Sequence, residues 1–398
     1  MTYSENISRL KPSATMAVSA LAKRLAAEGR DIIDLSAGEP DFDTPSWISD
    51  AAVSGIRAGR TRYTPAAGLP ELRRAVASEM SDRAADGWEL AAENVVVGAG
   101  AKQALFNACF SVFGPGDEVL IASPHWTTYP ALVELARAEP VTIAGPEDRG
   151  FRLAPEELER ARTSRTRGLI LCSPSNPTGT VYSLDELRAV AAWAAEHDIR
   201  IISDEIYRRI SFAEGNRPAA GLLDLPARDV GPYAIVDGVS KSFAMTGWRI
   251  GYLVTDVELA AKAGALQSQT TSNPAAPSQM AALEALTQRE QADDAIARMV
   301  TAFQRRRDLV VRRVGELLPG LSFIEPQGAF YLFLKVDSTY DDRSADSQAW
   351  CSRILEECGV ALVPGAAFGD DRFVRLSYAT SDETLEEAIR RLADALAA

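Results

Sequence analysis

The segment GLILCSPSNPTGTVYSLDELRAVAAWAAEHDIRIISDEIY (168–207) decides the fold. It opens on a short apolar run, GLILCS (168–173), and crosses a turn rich in Pro, Asn and Gly. A helically spaced stretch follows, LDELRAVAAWAAEH (184–197), and the segment closes on a second apolar run, RIISDE (200–205). Runs this short and this apolar suit strands buried on both faces, and a helix between two of them is the connection a parallel pair requires. The same alternation extends outward. NVVVGA (94–99), EVLIAS (118–123), YAIVDG (233–238) and RIGYLV (249–254) read as further strands, and KQALFNACFSVF (102–113) reads as a helix that stops at Gly114-Pro115-Gly116. Apolar strands alternating with helices predict a mostly parallel sheet covered on both sides.

From about residue 290 the texture changes. IARMVTAFQRRRDLVVRRVGELL (296–318) reads as a long amphipathic helix, followed by strand-like FYLFLKV (330–336), a helix near 346–358, strand-like FVRLSYA (373–379) and a last helix, ETLEEAIRRLADAL (383–396). This α+β pattern predicts a smaller domain over 291–398 beside a large domain over 46–290. Residues 1–45, punctuated around LSAGEPDFDTP (35–45), read as an N-terminal arm and part of the small domain. A chain of 398 residues exceeds what one hydrophobic core usually serves.

Composition narrows the function. The 42 basic and 55 acidic residues give a formal charge of −13, which argues against a nucleic-acid partner. Cys109, Cys172, Cys351 and Cys358 form no C-x-x-C pair, so reduced cytoplasmic thiols are expected. The opening MTYSENISRLKPSAT carries no signal pattern, and no apolar run approaches membrane-spanning length. His125 and His197 are the only histidines, too few for a His-rich metal site, and no metal is expected.

The polar residues of interest follow strands, where open parallel sheets place ligands. Gly98-Ala99-Gly100-Ala101-Lys102 is either a tight strand-to-helix turn or a cradle in which backbone N–H groups meet an anion. Gln103 stands where a dinucleotide fingerprint needs glycine. Ser173 to Gly179 can be a rigid turn. Asp204 ends an apolar strand, as a helix cap or as a buried acid in need of a cation. Lys241 and Arg249 lie eight residues apart in VDGVSKSFAMTGWRIG.

Nine motifs then stand in order: SAGEPDF (36–42), RYTPAAG (62–68), GAKQ (100–103), SPHW (123–126), SPSNPTG (173–179), SDEIY (203–207), SKSFAMTGWRIGY (240–252), GAFY (328–331) and VRLSYA (374–379). Together they resemble the class I aminotransferases of the aspartate aminotransferase family, from about residue 7 to the end. The resemblance implies pyridoxal 5'-phosphate as cofactor. It also implies fold type I, a large cofactor-binding domain on a mostly parallel seven-stranded sheet with a smaller α+β domain. Lys241 matches the Schiff-base lysine that moves the proton, Asp204 the acid paired with the pyridinium nitrogen, and Asn176 and Tyr207 the donors to the ring 3-oxygen. Trp126 matches the aromatic that stacks on the ring. Gly100, the N–H groups of Ala101 and Lys102, and Arg249 match the phosphate site. Many relatives add a serine three residues before the lysine, where this chain has Gly238. Tyr63 matches a tyrosine that reaches the neighbouring subunit's phosphate, which implies a homodimer with shared sites. Arg375 matches the clamp on the substrate carboxylate, with Gly38 beside it.

For the substrate side chain, animal-type aspartate enzymes place an arginine four residues before an S-N-P motif. Here Ser272-Asn273-Pro274 matches that motif, and Ser268 occupies the arginine's place. A bacterial branch uses the GAKQ lysine with a threonine of PSAT, which match Lys102 and Thr15. The resemblance therefore implies exchange of an amino group between an amino acid, foremost aspartate or glutamate, and a 2-oxo acid. Aromatic amino acids, prephenate as acceptor, and elimination, cyclisation or oxidation on the same scaffold stay open. His125 sits where many relatives carry tyrosine.

Overall fold

The computed structural model describes residues 4–8, 10, 12, 14–213 and 217–397. Its strands, in chain order, are β1 Ile33–Asp34, β2 Val95–Gly98, β3 Glu118–Ser123, β4 Glu139–Ala144, β5 Thr166–Cys172, β6 Arg200–Asp204, β7 Tyr233–Gly238, β8 Gly251–Thr255, β9 Ser322–Phe323, β10 Tyr331–Lys335, β11 Val360–Ala361, β12 Val363–Pro364 and β13 Phe373–Ser377. Seven of them, β2 to β8, form one sheet in the order β2-β8-β7-β6-β5-β3-β4. Neighbours pair parallel except β8, which runs antiparallel to both β2 and β7.

Apart from the edge strand β4, the sheet is buried on both faces, and its side chains divide with the two-residue period of a strand. Val95, Val97, Leu120, Leu169, Leu171, Ile201 and Ile235 enter one apolar cluster. Their neighbours Val96, Val119, Ile121, Ile170, Ile202, Ala234 and Val236 enter the other. A slip of one residue in any strand would exchange its two faces, so the helices on each side hold the register. The helix Ala101–Val112 covers the second face through Ala104, Leu105 and Ala108. The helix Leu184–Glu196 covers the first through Leu187, Val190 and Ala191. Its start is set by a capping box, in which Ser183 Oγ accepts from the Glu186 N–H at 3.2 Å and Glu186 Oε2 accepts from the Ser183 N–H at 2.7 Å.

A smaller α+β unit holds an antiparallel sheet in the order β12-β13-β10-β9. β1 pairs parallel with β11, Ile33 opposite Val360, which ties the N-terminal segment to the C-terminal part of the chain. The helix Ala14–Ala27 packs there too, with Ala22 against Leu355 and Ala361. The long helix begins at Arg289, earlier than its apolar spacing suggests, and runs to Leu317. The helices Ser46–Arg57, Pro70–Arg83, Tyr129–Leu135, Pro155–Ala161, Val257–Thr270 and Ala276–Thr287 also belong to the large unit. Among the described residues no helix is long and apolar enough to cross a membrane.

Candidate active site

The carboxyl ends of β2, β3, β5, β6 and β7 lie on one edge of the sheet, and the loops that leave them surround a cavity of about 740 Å³. β8 runs the other way, so it begins at this same edge, and Arg249, two residues before it, arrives there as well. Arg249 holds φ 57° and ψ 54°, a left-handed conformation unusual for a side-chain-bearing residue and typical of functional sites.

Lys241 Nζ donates to the Gly38 carbonyl at 2.6 Å. Burial pulls its pKa down to about 8, against a smaller upward pull from Glu39. Asp204 is buried at the end of β6. Burial pushes its carboxyl up to about 6, and a hydrogen bond from the Tyr129 hydroxyl to Oδ2 at 2.7 Å works the other way. No lysine or arginine among the described residues lies within ion-pair distance of Asp204, and its bond from the Ile206 N–H is long, at 3.3 Å, so it is more a buried acid facing the cavity than a helix cap.

Arg375 projects from β13 and is 1% exposed. It donates from Nη1 to Asn176 Oδ1 at 3.0 Å and from Nη2 to the Ser36 carbonyl at 2.7 Å, and its Nε has no partner. Burial lowers its pKa, and among the described residues no carboxylate stands within ion-pair distance. Tyr207 shares a hydrogen bond with Tyr331, hydroxyl to hydroxyl, at 2.9 Å.

Gly100 caps the start of the helix Ala101–Val112 with φ +86°, and a Cβ there would lie 2.4 Å from Arg249 Nη2. A side chain at 100 would fill the space between the helix N-terminus and the guanidinium, where the first N–H groups have no intrahelical partner. Lys102 Nζ lies 5.0 Å from the centre of the Trp126 ring, and burial together with Arg249 lowers its pKa. Trp126 packs edge-on against Tyr129 at 5.4 Å. Thr15 reaches the cavity from the helix Ala14–Ala27.

Other residues singled out in the sequence lie elsewhere. Tyr63 does not line its own chain's cavity and is 93% exposed. His125 is buried beneath the loop after β3, where its N–H donates to the Phe368 carbonyl at 2.9 Å, and burial lowers its pKa. Gly238 stands opposite Gly251, and a Cβ there would come within 2.8 Å of the Gly251 Cα, so the strands as packed have no room for a serine. Ser268 turns back onto the Ala265 carbonyl at 2.7 Å.

Sequence reasoning missed several contributors. Tyr129 starts a helix after Trp126 and reads as an ordinary core aromatic. Tyr331 was visible only as the last letter of GAFY. The segment from Gly38 to Thr44 is fastened to the lysine loop by more than the Lys241 bond. Thr246 Oγ1 donates to Glu39 Oε2 at 2.7 Å, Thr44 Oγ1 to the Ala244 carbonyl at 2.7 Å and Trp248 Nε1 to Thr44 Oγ1 at 3.0 Å. Such pairings between residues two hundred positions apart leave no local trace.

A type I fold with a desolvated lysine and a buried acid at the strand ends defines the pyridoxal-phosphate-dependent enzymes of this architecture. Comparison with known proteins places the chain within them. The family model for aminotransferase class I and II matches residues 30–392. An aspartate/prephenate aminotransferase of Cereibacter sphaeroides (strain ATCC 17029 / ATH 2.4.9) is 44% identical over 98% of this chain and 97% of its own. A probable aspartate/prephenate aminotransferase of Aquifex aeolicus (strain VF5) is 40% identical over 98% and 97%. The structure of the Thermus thermophilus aspartate aminotransferase with maleate superposes with a TM-score of 0.92 at 40% identity, covering 99% of this chain and all of that one. The chain belongs to the class I and II aminotransferases and is an aminotransferase.

Proposed function

We propose that this aminotransferase exchanges the amino group between a dicarboxylic amino acid, aspartate or glutamate, and a 2-oxo acid, with pyridoxal 5'-phosphate held at Lys241. The observation that carries the proposal is Arg375: a buried guanidinium with an unpaired Nε and, among the described residues, no carboxylate within ion-pair distance, in the same cavity as Lys241. A buried charge in that state calls for an anion, and an amino acid's carboxylate, held in a two-pronged bond, is a suitable one.

The residues present fit the cofactor. The unfilled space at Gly100 suits a phosphate between the N–H groups of Ala101 and Lys102 and the Arg249 guanidinium. Asp204 faces the cavity and, among the described residues, has no lysine or arginine within ion-pair distance, which suits a protonated ring nitrogen. Asn176, its Oδ1 taken by Arg375, keeps its amide N–H groups for the 3-oxygen, and Tyr207 can donate there too. Trp126 would stack on the ring. When bound, the cofactor supplies an electron sink for charge developing at the substrate Cα.

The protein does the rest. Arg375 binds and orients the α-carboxylate, and Gly38 leaves room beside it. Burial pulls the Lys241 amine down to about 8, so the freed amine loses its proton more readily than an exposed lysine and can serve as base at the Cα proton. Asp204, above its pKa of about 6, stays anionic against the ring nitrogen. Lys102 and Thr15, which line the same cavity, would read the distal carboxylate in place of the arginine that Ser268 replaces. The names of the relatives from Cereibacter and Aquifex support prephenate as a further acceptor.

The proposal includes a homodimer with shared sites. Its support is Tyr63, 93% exposed, in a chain where Val53 and Ile56 are exposed as well. It also includes a division into an arm with part of the small domain (1–45), a large domain (46–290) and a small domain (291–398), which follows sheet membership. The test of function is the donor profile of wild type and Lys102→Ser with 2-oxoglutarate. Aspartate should be a better donor than phenylalanine, and the variant should lose on the order of tenfold in kcat/KM for aspartate with little change for phenylalanine. Equal losses for both would remove Lys102 from the distal site, and turnover of aromatic donors alone would overturn the dicarboxylic assignment.

A further inference from the structure

Tyr331 joins residues that the proposed function uses separately. It opens β10, opposite Ser377 of β13, and is fully buried against the cavity wall. Its ring lies 4.3 Å below the Arg375 guanidinium, a distance at which an aromatic face attracts a cation. Its hydroxyl is 2.9 Å from that of Tyr207. Among the described residues the two phenols have no other hydrogen-bond partners, so within the pair one donates and the other accepts. If the Tyr207 proton points at a ligand in the cavity, the shared bond must take its proton from Tyr331. A Cβ on Gly38 would stand 3.5 Å from the Tyr331 hydroxyl, so the backbone that also accepts from Lys241 closes over this pair.

We propose that Tyr331 is a positioning residue with two separable parts. Its hydroxyl donates to Tyr207 and directs the Tyr207 proton at the cofactor's 3-oxygen, and its ring holds Arg375 in place for the substrate carboxylate. This rests on the function proposed above. A donor that itself accepts a hydrogen bond is the stronger donor, since each bond in a chain polarises the next. Burial raises the pKa of both phenols, so each keeps its proton through the working range. Phenylalanine at 331 would keep the ring under Arg375 and lose only the proton, and leucine would lose both.

The test compares wild type, Tyr331→Phe and Tyr331→Leu as holoenzymes. Two quantities are read: the pH midpoint at which the visible band of the bound cofactor titrates, and the dissociation constant of succinate, a dicarboxylate that cannot react. A donor at the 3-oxygen favours the form with more negative charge there, so weakening it moves the midpoint upward. The Phe variant should shift the midpoint up by about half a pH unit, roughly threefold in proton affinity, with succinate binding unchanged. The Leu variant should show the same shift and bind succinate roughly fivefold to tenfold more weakly. A tyrosine that only fills space would be fully rescued by phenylalanine, so an unmoved midpoint in Tyr331→Phe beside a normally titrating wild type overturns the proposal alone. A wild type in which no visible band titrates overturns the function and this proposal together.

Discussion

Lys241 and Asp204 show how one physical term, burial, moves two pKa values in opposite directions by disfavouring the charged form of each. Desolvation lowers the amine to about 8 and raises the carboxyl to about 6, so near neutrality part of the amine is free and most of the acid is ionised. The lysine leaves a mark on stability. Its folded pKa lies below the value of about 10.4 it has in an unfolded chain, so between about 8 and 10.4 the unfolded state binds more protons and stability rises with pH. Below about 8 the buried amine carries its charge at a cost. For the cofactor-free protein, Lys241→Met should therefore melt higher than wild type at neutral pH, with the gap closing as pH approaches about 10. Thermal unfolding across pH checks this, and a constant gap would contradict the depressed pKa. These residues were legible in the sequence because each stands in a local motif. Tyr129 and Tyr331 were not, because a tyrosine at a helix or strand start has a core role by default, and only the fold shows that one meets Asp204 and the other Tyr207.

At the scale of elements, the strands with unbroken apolar runs were readable and the edge strand β4 was not. β4 (EPVTIA) is half exposed and mixes Glu, Pro and Thr into its six residues, so nothing in it announces a buried parallel strand. The helix boundaries that failed did so where polar residues lead: the long helix starts on REQADDA, whose charged surface hides its first turns. Behind the catalytic edge, β6 is anchored by Glu205, buried and accepting from Arg83 Nη2 at 2.9 Å, from Ser203 Oγ at 3.1 Å and from the Leu222 N–H at 3.1 Å. Burial would raise its pKa, but Arg83 and Arg208 hold it below the ordinary glutamate value. Removing one partner of such a pair strands the other's charge, so Glu205→Ala should cost about 3–5 kcal/mol in unfolding free energy. Denaturant titration measures it, and a loss under about 1 kcal/mol would mean the network is solvated.

For the whole molecule, the mostly parallel large sheet and the edge that carries the site followed from alternation and motif order, because a doubly covered parallel sheet places every strand-end loop on one edge. A homodimer with shared sites was implied only by the match at Tyr63, which a single chain presents to the outside. If the sites are shared, Tyr63→Ala should weaken cofactor retention roughly tenfold although it lines no cavity of its own chain, and wild type should sediment as a dimer. Unchanged retention in a dimeric variant would remove Tyr63 from the partner's phosphate site. The central claim is that one cavity combines cofactor chemistry at Lys241 with recognition of a dicarboxylic amino acid. The most direct measurement is the visible absorption spectrum of the holoenzyme before and after aspartate is added without any 2-oxo acid. The account predicts that the yellow band disappears, near-ultraviolet absorption grows, and oxaloacetate is released in proportion to active sites. A visible band that aspartate and glutamate leave unchanged while another amino acid discharges it would contradict the assignment of substrate, and a protein that takes up no pyridoxal phosphate would contradict the account as a whole.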